Sequence, residues 1–306
     1  MTETEAPARP EPMTIGRVGL WTFALDTVPA ARAGELAAEL ESFGYAAVWL
    51  PEVAGRDPFV HAALLLSATT RLVVGTGIAS IWARDAITMN AVHRSLTEAF
   101  PERFLLGLGV SHQNLVEGLR GHVYEKPVSS MRTYLEAMDK APFQGFRPTA
   151  PPRRVLAALR PRMLALAAEQ ADGAHPYFVP PEHTERARAA MGAGPMLCTE
   201  QAVLLETDPG RAREIARKHT ITYLRQPNYV NNLKELGFGD DDVAEAGSDR
   251  LVDAIVAWGD ADAIRSRVAD HFAAGATHVC IQPLTESPRD MPDQQWRELA
   301  PALIAL

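Results

Sequence analysis

The residues of this sequence that could do chemistry stand where short apolar segments end. Glu52 ends the segment AAVWLPE, His112 stands two residues after FLLGLGV, and Arg160 follows RVLAAL. A carboxylate accepts hydrogen bonds, an imidazole exchanges protons near neutral pH, and a guanidinium binds anionic groups in a bidentate manner. These residue types could therefore serve acid–base catalysis or the binding of a phosphorylated molecule.

Aromatic residues and glycine occupy the other segment ends. Trp21 and Phe23 lie in RVGLWTF, Gly77 lies in LVVGTGIASI, and His175 and Tyr177 follow the sequence ADGA. A cavity lined by glycine, indole, imidazole and arginine suits a large planar cofactor with a phosphate tail, so redox chemistry is the leading class. We expect Trp21, Phe23, His175 and Tyr177 to line a pocket for a small-molecule substrate.

Other site chemistries lack the residues that they need. No set of three His, Asp or Glu ligands converges in the pattern, so we expect no metal site. The sequence carries no G-x-S-x-G motif and no lysine at a segment end that suits a Schiff base. Cys198 and Cys280 stand in apolar runs without metal-ligand spacing, which indicates reduced thiols and a cytoplasmic protein.

Length, composition and charge exclude several classes of partner. The chain has 306 residues, of which 47% are hydrophobic and 22% charged, an ordinary globular composition. Its formal net charge of −8 argues against a protein that binds nucleic acid by broad phosphate neutralisation. The longest uncharged apolar run near the start, residues 62–68, is far shorter than the roughly 20 residues of a membrane helix. We expect no nucleic-acid partner and no membrane partner.

Eight strand patterns alternate with helical patterns along the chain, which is typical of α/β proteins with a parallel sheet. The strands are predicted at residues 17–23, 46–52, 72–81, 104–110, 154–158, 174–179, 196–206 and 278–284. Eight strand–helix units in a chain of this length favour a TIM (β/α)8 barrel. A doubly wound open sheet is the competing topology, although no Rossmann glycine cluster follows the first strand.

The domain organisation follows from two interruptions of this pattern. Residues 1–13 are acidic and proline-rich, which predicts a disordered N-terminal tail, and residues 14–306 are predicted to form a single barrel domain. A polar stretch at 223–250 indicates an insertion with short helices between strands seven and eight. In a barrel, the carboxyl ends of the strands and the loops after them form the site.

The ordered segments AAVWLPE, LVVGTGI, RFLLGLGVSH and ADGA resemble the luciferase-like monooxygenase superfamily. They resemble most closely its actinobacterial branch, which uses the deazaflavin coenzyme F420. The stretches RQPNY and SDRLVD extend the resemblance into the second half, so that it covers about residues 14–283. The resemblance implies a TIM barrel with oxidoreductase activity and a homodimer, for which the helix predicted at 57–69 is the candidate surface.

For the cofactor, the resemblance implies a ring that lies over a bulge in the third strand, with a non-prolyl cis peptide between Gly77 and Ile78. The bulge, the end of the fourth strand and the loop after the fifth strand would hold the cofactor through Gly77, Ile78, Gly109, Val110, Ser111, Leu159, Arg160, Pro161 and Arg162. Arg160 departs from the family, because related enzymes tend to have glycine there. Its guanidinium either contacts the cofactor phosphate or fills the phosphate site.

Two residues are candidates for catalysis. His112 stands where sugar-phosphate dehydrogenases of the superfamily place an acidic catalytic residue. Its imidazole either exchanges a proton as hydride moves, contacts cofactor or substrate, or has a structural role. Glu52 either accepts a hydrogen bond from the deazaflavin or anchors the barrel rim. Val53 follows it where those dehydrogenases carry a catalytic histidine, which argues against glucose-6-phosphate oxidation.

We therefore expect an F420-dependent oxidoreductase that transfers a hydride between the deazaflavin and a small organic substrate. Two alternatives stay open on the sequence: an FMN-dependent luciferase-like monooxygenase, and a barrel that binds the cofactor without turnover or has lost it. Arg56, Arg84 and Arg160 lie near predicted strand ends and could attract the polyglutamate tail of F420, which favours F420 over FMN.

Overall fold

The computed structural model describes residues 13–287 and 290–306, in which short strands alternate with helices. The strands are β1 Val18–Trp21, β2 Ala47–Leu50, β3 Val73–Thr76, β4 Ala79–Ser80, β5 Phe104–Gly109, β6 Arg153–Leu156, β7 Gly173–Ala174, β8 Met196–Leu205, β9 Val256–Gly259 and β10 His278–Pro283. The helices are α1 Ala30–Ser42, α2 Pro58–Ala68, α3 Ala86–Ala99, α4 Pro127–Lys140, α5 Pro161–Gln170, α6 Pro181–Met191, α7 Pro209–Tyr223, α8 Pro227–Glu235, α9 Asp240–Val243, α10 Asp249–Ile255, α11 Ala261–Ala273 and α12 Asp293–Leu303. The predicted tail, residues 1–13, lies outside the described residues except for Met13.

The strands close into a parallel barrel. Hydrogen-bonded neighbours run in the order β1, β2, β3, β5, β6, β7 and β8, and β10 pairs with both β8 and β1, which joins the two ends of the sheet. The short strand β4 pairs with β5 beyond the end of β3, so that β3 and β4 share one of the eight strand positions. The predicted TIM (β/α)8 barrel is confirmed, and the open sheet is excluded.

Apolar side chains fill the inside of the barrel. Ala47, Trp49, Leu105, Cys198 and Cys280 belong to one buried cluster contributed by strands around the ring. A larger cluster joins the outer faces of the strands to the surrounding helices. Both cysteines are free and buried, and burial raises the pKa of each thiol. The interior is therefore a packed core, and the open space lies at the rim.

Helix caps determine how the chain leaves the rim after the second and third strand positions. Asp57 accepts hydrogen bonds from the backbone N–H groups of Phe59 and Val60 at the start of α2, and Pro58 occupies the first helical position. Asp85 caps α3 in the same way. Both loops are thereby fixed close to the strand ends from which they leave.

The third strand position departs from the prediction of one strand at 72–81. A cis peptide bond between Gly77 and Ile78 separates β3 from β4, as the family resemblance implied. Beside this break, the Thr76 hydroxyl donates to the Gly107 carbonyl at 2.7 Å and accepts from the Gly107 N–H at 2.9 Å. Gly107 has to lack a side chain, because a Cβ there would lie 1.9 Å from the Thr76 carbonyl oxygen.

Two further strands differ from their predictions. The sixth strand, predicted at 174–179, pairs only through Gly173–Ala174. Strand β9 was not predicted; it pairs with the last four residues of β8, at the end of the insertion. It follows α10 without a turn residue, so the sequence VDAIVAWG continues the helical pattern.

The insertion itself has the predicted form. Residues 223–250 include α8, α9 and the first residues of α10, and they lie between the seventh and eighth barrel strands, β8 and β10. Across the described part of the chain, every helix is too short or too polar to cross a membrane.

Candidate active site

A large cavity opens at the carboxyl ends of the barrel strands. Its volume is about 1350 Å³, whereas roughly 300–1,000 Å³ is typical of a pocket for one small molecule. Fourteen of the predicted site residues line it, namely Trp21, Phe23, Glu52, Gly77, Ile78, Val110, Ser111, His112, Leu159, Arg160, Pro161, Arg162, His175 and Tyr177. Gly109 lies beside the cavity instead, at the end of β5, where a Cβ would come within 2.3 Å of the Ile78 side chain.

The break between β3 and β4 forms the floor of this cavity. The Trp21 indole N–H donates to the Gly77 carbonyl at 3.0 Å, so the side chain at the end of β1 fixes the peptide plane. A Cβ on Gly77 would lie 2.5 Å from the indole nitrogen and 3.1 Å from Nε2 of His175. Only glycine therefore allows the backbone to sit this close to both rings.

His175 supports the floor from inside the barrel. Its ring stacks on Trp49, with centroids 4.3 Å apart and planes 8° from parallel. Nδ1 lies 2.7 Å from the Cys198 carbonyl, which can only accept, so Nδ1 carries the proton and Nε2 is bare. Nε2 has no hydrogen-bond partner among the described residues. Burial lowers the His175 pKa to about 4, so the imidazole is neutral at pH 7.

Glu52 is held at the rim by protein donors on both of its oxygens. Oε2 accepts from the backbone N–H of Ser80 at 2.7 Å, and Oε1 accepts from the Arg84 guanidinium at 2.6 Å. Arg84 also pairs with Asp57 at the start of α2. This arrangement ties the end of β2 to β4, immediately after the floor.

His112 faces the cavity from the end of β5. Its hydrogen-bond partner is the Asn228 side chain, and its ring centroid lies 5.5 Å from that of Tyr229. Asn228 and Tyr229 belong to α8, so the insertion reaches across the cavity to the fourth strand. Nδ1 of His112 has no hydrogen-bond partner among the described residues. Burial lowers the His112 pKa, which keeps the imidazole neutral near pH 7.

Arg160 stands at the start of α5 and pairs with the other end of α8. Nε and Nη2 lie 2.9 and 2.7 Å from Glu235 Oε1. The two side chains are 52% and 44% exposed, so water screens their attraction. Arg186 also donates to the Glu235 carbonyl. The guanidinium lies at the cavity edge and is not buried in it.

The positive charges of the cavity lie at its exposed rim. Among the described residues that line it, the lysines and arginines are Lys126, Arg160, Arg162 and Lys218, and all four are exposed.

Arg56 and Arg84, which we expected to attract an anionic tail, lie outside this lining. Arg56 donates to the backbone carbonyls of Leu25 and Val28, and Arg84 is paired with Glu52. Of the three arginines expected to attract the tail, Arg160 is the one that faces the cavity.

Tyr223 and Tyr229 were not predicted to belong to the site, and together with the predicted Tyr177 they form a group of tyrosines on one side of the cavity. The Tyr177 hydroxyl donates to Oε1 of Gln282 at 2.7 Å and lies 2.5 Å from the Tyr223 hydroxyl. The Tyr229 ring lies 5.4 Å from that of Tyr223. Burial raises the pKa of all three phenols. Tyr229 lies in the stretch RQPNY that carries the family resemblance, and that stretch was the signal which could have found it.

Within residues 13–287 and 290–306, no three His, Cys, Asp or Glu side chains lie together in a way that could hold a metal ion.

The similarities of the chain to known proteins agree with this geometry. Residues 13–278 match the sequence model of a family described as luciferase-like monooxygenase. A protein of Mycobacterium tuberculosis named as a coenzyme F420-dependent oxidoreductase is 26% identical, over 83% of this chain and 91% of that protein.

Solved structures share the fold at low sequence identity. An F420-dependent secondary alcohol dehydrogenase in complex with an F420-acetone adduct superposes with a TM-score of 0.73 at 14% identity, over 94% of this chain and 99% of that one. The oxygenating constituent of 3,6-diketocamphane monooxygenase from Pseudomonas putida, in complex with FMN, has a TM-score of 0.66 at 15% identity, over 93% and 96% of the two chains.

Proposed function

This chain belongs to the luciferase-like monooxygenase family, and from that premise we propose that it is an oxidoreductase that transfers a hydride between coenzyme F420 and a small organic substrate. The relative from Mycobacterium tuberculosis and the alcohol dehydrogenase structure carry F420 in their names. The FMN-bound monooxygenase structure keeps an FMN-dependent monooxygenase as the second candidate.

The observation that carries the proposal is that the cavity has two distinct parts: a floor formed by the backbone at Gly77 and Ile78, and a rim that carries exposed cations. The floor at Gly77 and Ile78 has no protruding side chain at the glycine, and a ring system can lie against its backbone. The rim carries the exposed cations Arg160 and Arg162 at the start of α5, where the positive end of the helix dipole also favours a phosphate group. A planar ring with an anionic tail fits these two parts together.

When bound, F420 supplies a ring carbon that exchanges a hydride, which restricts the reaction to two-electron transfer. Of the residues of this chain, Gly77, Ile78 and Ser111 would lie against the ring. Leu159, Arg160, Pro161 and Arg162 would hold the phosphate. Val110 would complete the wall between these parts, with Gly109 behind it.

Arg160 is free enough to contact a phosphate in spite of Glu235. The ion pair of Arg160 with Glu235 is exposed and contributes about 0–1 kcal/mol, so breaking it costs little. A phosphate that accepts both N–H groups of the guanidinium can therefore replace the carboxylate. We accordingly assign Arg160 to phosphate contact and not to occlusion.

His112 is the proposed proton-exchanging residue. Its neutral imidazole lines the cavity and would accept the proton that leaves the substrate as the substrate is oxidised, and would return it in the reverse direction. Glu52 is assigned a positioning role, because both of its oxygens are already occupied at the edge of the floor. Trp21, Phe23, His175 and Tyr177 shape the substrate side.

Titration of the purified protein with F420 and with FMN, followed by fluorescence and co-elution, tests the proposal. We expect saturable binding of F420 and no comparable binding of FMN. Binding of FMN alone would make the protein an FMN-dependent monooxygenase, and binding of neither would make it a non-catalytic barrel.

Two variants test the role of Arg160 in the same titration. Arg160→Gly should weaken F420 binding several-fold, since hydrogen bonds to a charged group are lost. Glu235→Gln should strengthen it slightly, because it releases the guanidinium. Tighter binding by Arg160→Gly would contradict the assignment and show that the arginine blocks the site.

We also propose that the protein forms a homodimer through α2. Val60 and Leu64, one turn apart on this helix, are exposed apolar residues, and Ile87 at the start of α3 is a third. Light scattering should give twice the mass of the chain, and Val60→Asp should shift the equilibrium toward the monomer.

A further inference from the structure

One side of the cavity is formed by five side chains, Trp21, Tyr177, Tyr223, Tyr229 and Gln282, which we call the tyrosine wall. The rings are in mutual contact: the centroids of Trp21 and Tyr177 lie 5.0 Å apart, and so do those of Tyr177 and Tyr223. The residues of the wall lie on β1, β10, the loop after β7, α7 and α8. It is therefore one continuous aromatic surface, assembled from both halves of the chain.

No formal charge stands in this wall at neutral pH. Burial raises the pKa of all three phenols, so they stay protonated. Glu200, whose charge would reach the three phenols, is buried inside the barrel, and burial raises its pKa to about 8. A charged ligand group placed here would lose its hydration without gaining an opposite charge, which is strongly unfavourable.

The hydrogen bonds of the wall have a fixed direction. The single proton of the Tyr177 hydroxyl goes to Oε1 of Gln282, so the Tyr223 hydroxyl is the donor in the contact between the two tyrosines. With its carbonyl oxygen occupied, Gln282 is left with its amide N–H₂ group to bond a ligand in the cavity that it lines. The wall thus offers the Gln282 amide as a neutral donor on an aromatic surface.

We infer that the tyrosine wall is the substrate subsite and that it takes a neutral, largely apolar ring compound whose carbonyl oxygen accepts a hydrogen bond from the Gln282 amide. The inference rests on the proposed function, in which the rim and floor hold the cofactor. The cavity of about 1350 Å³ has room for such a compound beside the cofactor ring. Charged substrates such as sugar phosphates are excluded from the wall by the same argument.

Calorimetric titration of the full-length protein with 1-tetralone, its hydrocarbon counterpart tetralin and its charged counterpart tetralin-1-carboxylate tests the inference. We expect 1-tetralone to bind roughly three- to tenfold more tightly than tetralin, which is the effect of one net hydrogen bond. The carboxylate should not bind. Equal or tighter binding of the carboxylate, or no binding of 1-tetralone, would overturn the inference.

Gln282→Leu removes the donor and keeps an apolar side chain of similar size. It should abolish the preference for 1-tetralone over tetralin while leaving tetralin affinity and F420 affinity within about twofold of the wild-type values. Gln294→Leu, the same change at an exposed position of α12 outside the cavity, should leave the preference intact. If Gln282→Leu still prefers 1-tetralone over tetralin, Gln282 is not the donor and the inference is overturned.

The F420 titration separates this inference from the proposed function. Binding of 1-tetralone with a Gln282-dependent preference, in a protein that does not bind F420, would support the subsite and overturn the proposed cofactor. Binding of F420 without binding of 1-tetralone would overturn the subsite alone.

Discussion

Glu200 lies inside the barrel, 1% exposed, and its Oε2 accepts the backbone N–H of Phe178 at 3.0 Å. Phe178 has a φ of 60°, and this hydrogen bond holds the turn that carries Tyr177 into the cavity. Oε1 has no partner among the described residues, and burial raises the Glu200 pKa to about 8. The folded protein therefore keeps this carboxyl protonated at pH 7.

Glu200→Gln should remove a pH dependence of stability. Between about pH 4.5 and pH 8 the unfolded chain ionises Glu200 and the folded chain does not, so the free energy of unfolding falls as pH rises, by about 1.4 kcal/mol per pH unit. The variant should match the wild type near pH 5 and exceed it increasingly up to pH 8. Urea unfolding at several pH values measures this.

The control for that series is Glu298→Gln, which changes an exposed carboxylate on α12. The free energy of unfolding of Glu298→Gln should stay close to that of the wild type at every pH. A difference between Glu200→Gln and the wild type that stays constant from pH 5 to pH 8 would contradict the buried, protonated carboxyl.

Single residues differ in how far the sequence could place them. Trp21, His112 and Tyr177 could be assigned to the rim, because they follow strand patterns and the carboxyl ends of barrel strands share one edge. The hydrogen-bond partners of Tyr177 could not be assigned from the sequence, because Tyr223 and Gln282 lie 46 and 105 residues away along the chain. Such pairs depend on the tertiary packing of α7 and β10, which no local pattern encodes.

Among the elements, the pair of β3 and β4 matters most for the site. The hydroxyl of Thr76 takes the place of a backbone partner for Gly107 and closes the gap between β3 and β5. The two glycines of LVVGTGIASI predicted a bulge from sequence, and the resemblance placed the cis bond. The contact between the Thr76 hydroxyl and Gly107 was not predictable, because it depends on the register of β3 against β5.

Thr76→Val should destabilise the protein by about 1–3 kcal/mol, because it leaves the buried N–H and carbonyl of Gly107 without a partner. Chemical denaturation at pH 7 measures the change. Thr149→Val, at an exposed loop position, should change stability by less than about 0.5 kcal/mol. Equal effects of the two substitutions would show that the Thr76 hydroxyl does not bridge the strands.

The helices and strands of the ring were largely predictable, whereas the pairing of β9 with β8 after the insertion was not. Alternating apolar segments identified the strands of the ring, and the helix predicted at 57–69 corresponds to α2. Strand β9 was not predicted because it follows α10 directly, and tertiary contacts decide its pairing with β8.

Across the whole molecule, buried histidines dominate the response to acid. Burial lowers the pKa values of His93 and His271 to about 3, and those of His175, His219 and His278 to about 4. The unfolded chain binds protons at these groups below pH 6.5, whereas the folded chain does not. Stability therefore rises with pH across this window and is lost as pH falls.

We expect the free energy of unfolding to fall steeply between pH 6.5 and pH 4, with uptake of several protons on unfolding. Five imidazoles outweigh the opposite contribution of the single Glu200 carboxyl in this range. Thermal unfolding at pH 7, 6 and 5, combined with calorimetry in buffers of different ionisation enthalpy, measures the proton uptake. A stability that stays flat from pH 7 to pH 5 would contradict neutral buried histidines.

In the proposed complex, the open end of the barrel receives a flat, phosphate-bearing redox ring against the backbone of Gly77 and Ile78. A crystal structure of the protein grown with F420 tests this most directly. We predict the deazaflavin ring on the floor between β3 and β4, its phosphate at residues 159–162, and the tyrosine wall facing the remaining space. A ring bound anywhere else on the protein, or a phosphate that does not contact this loop, would contradict the account.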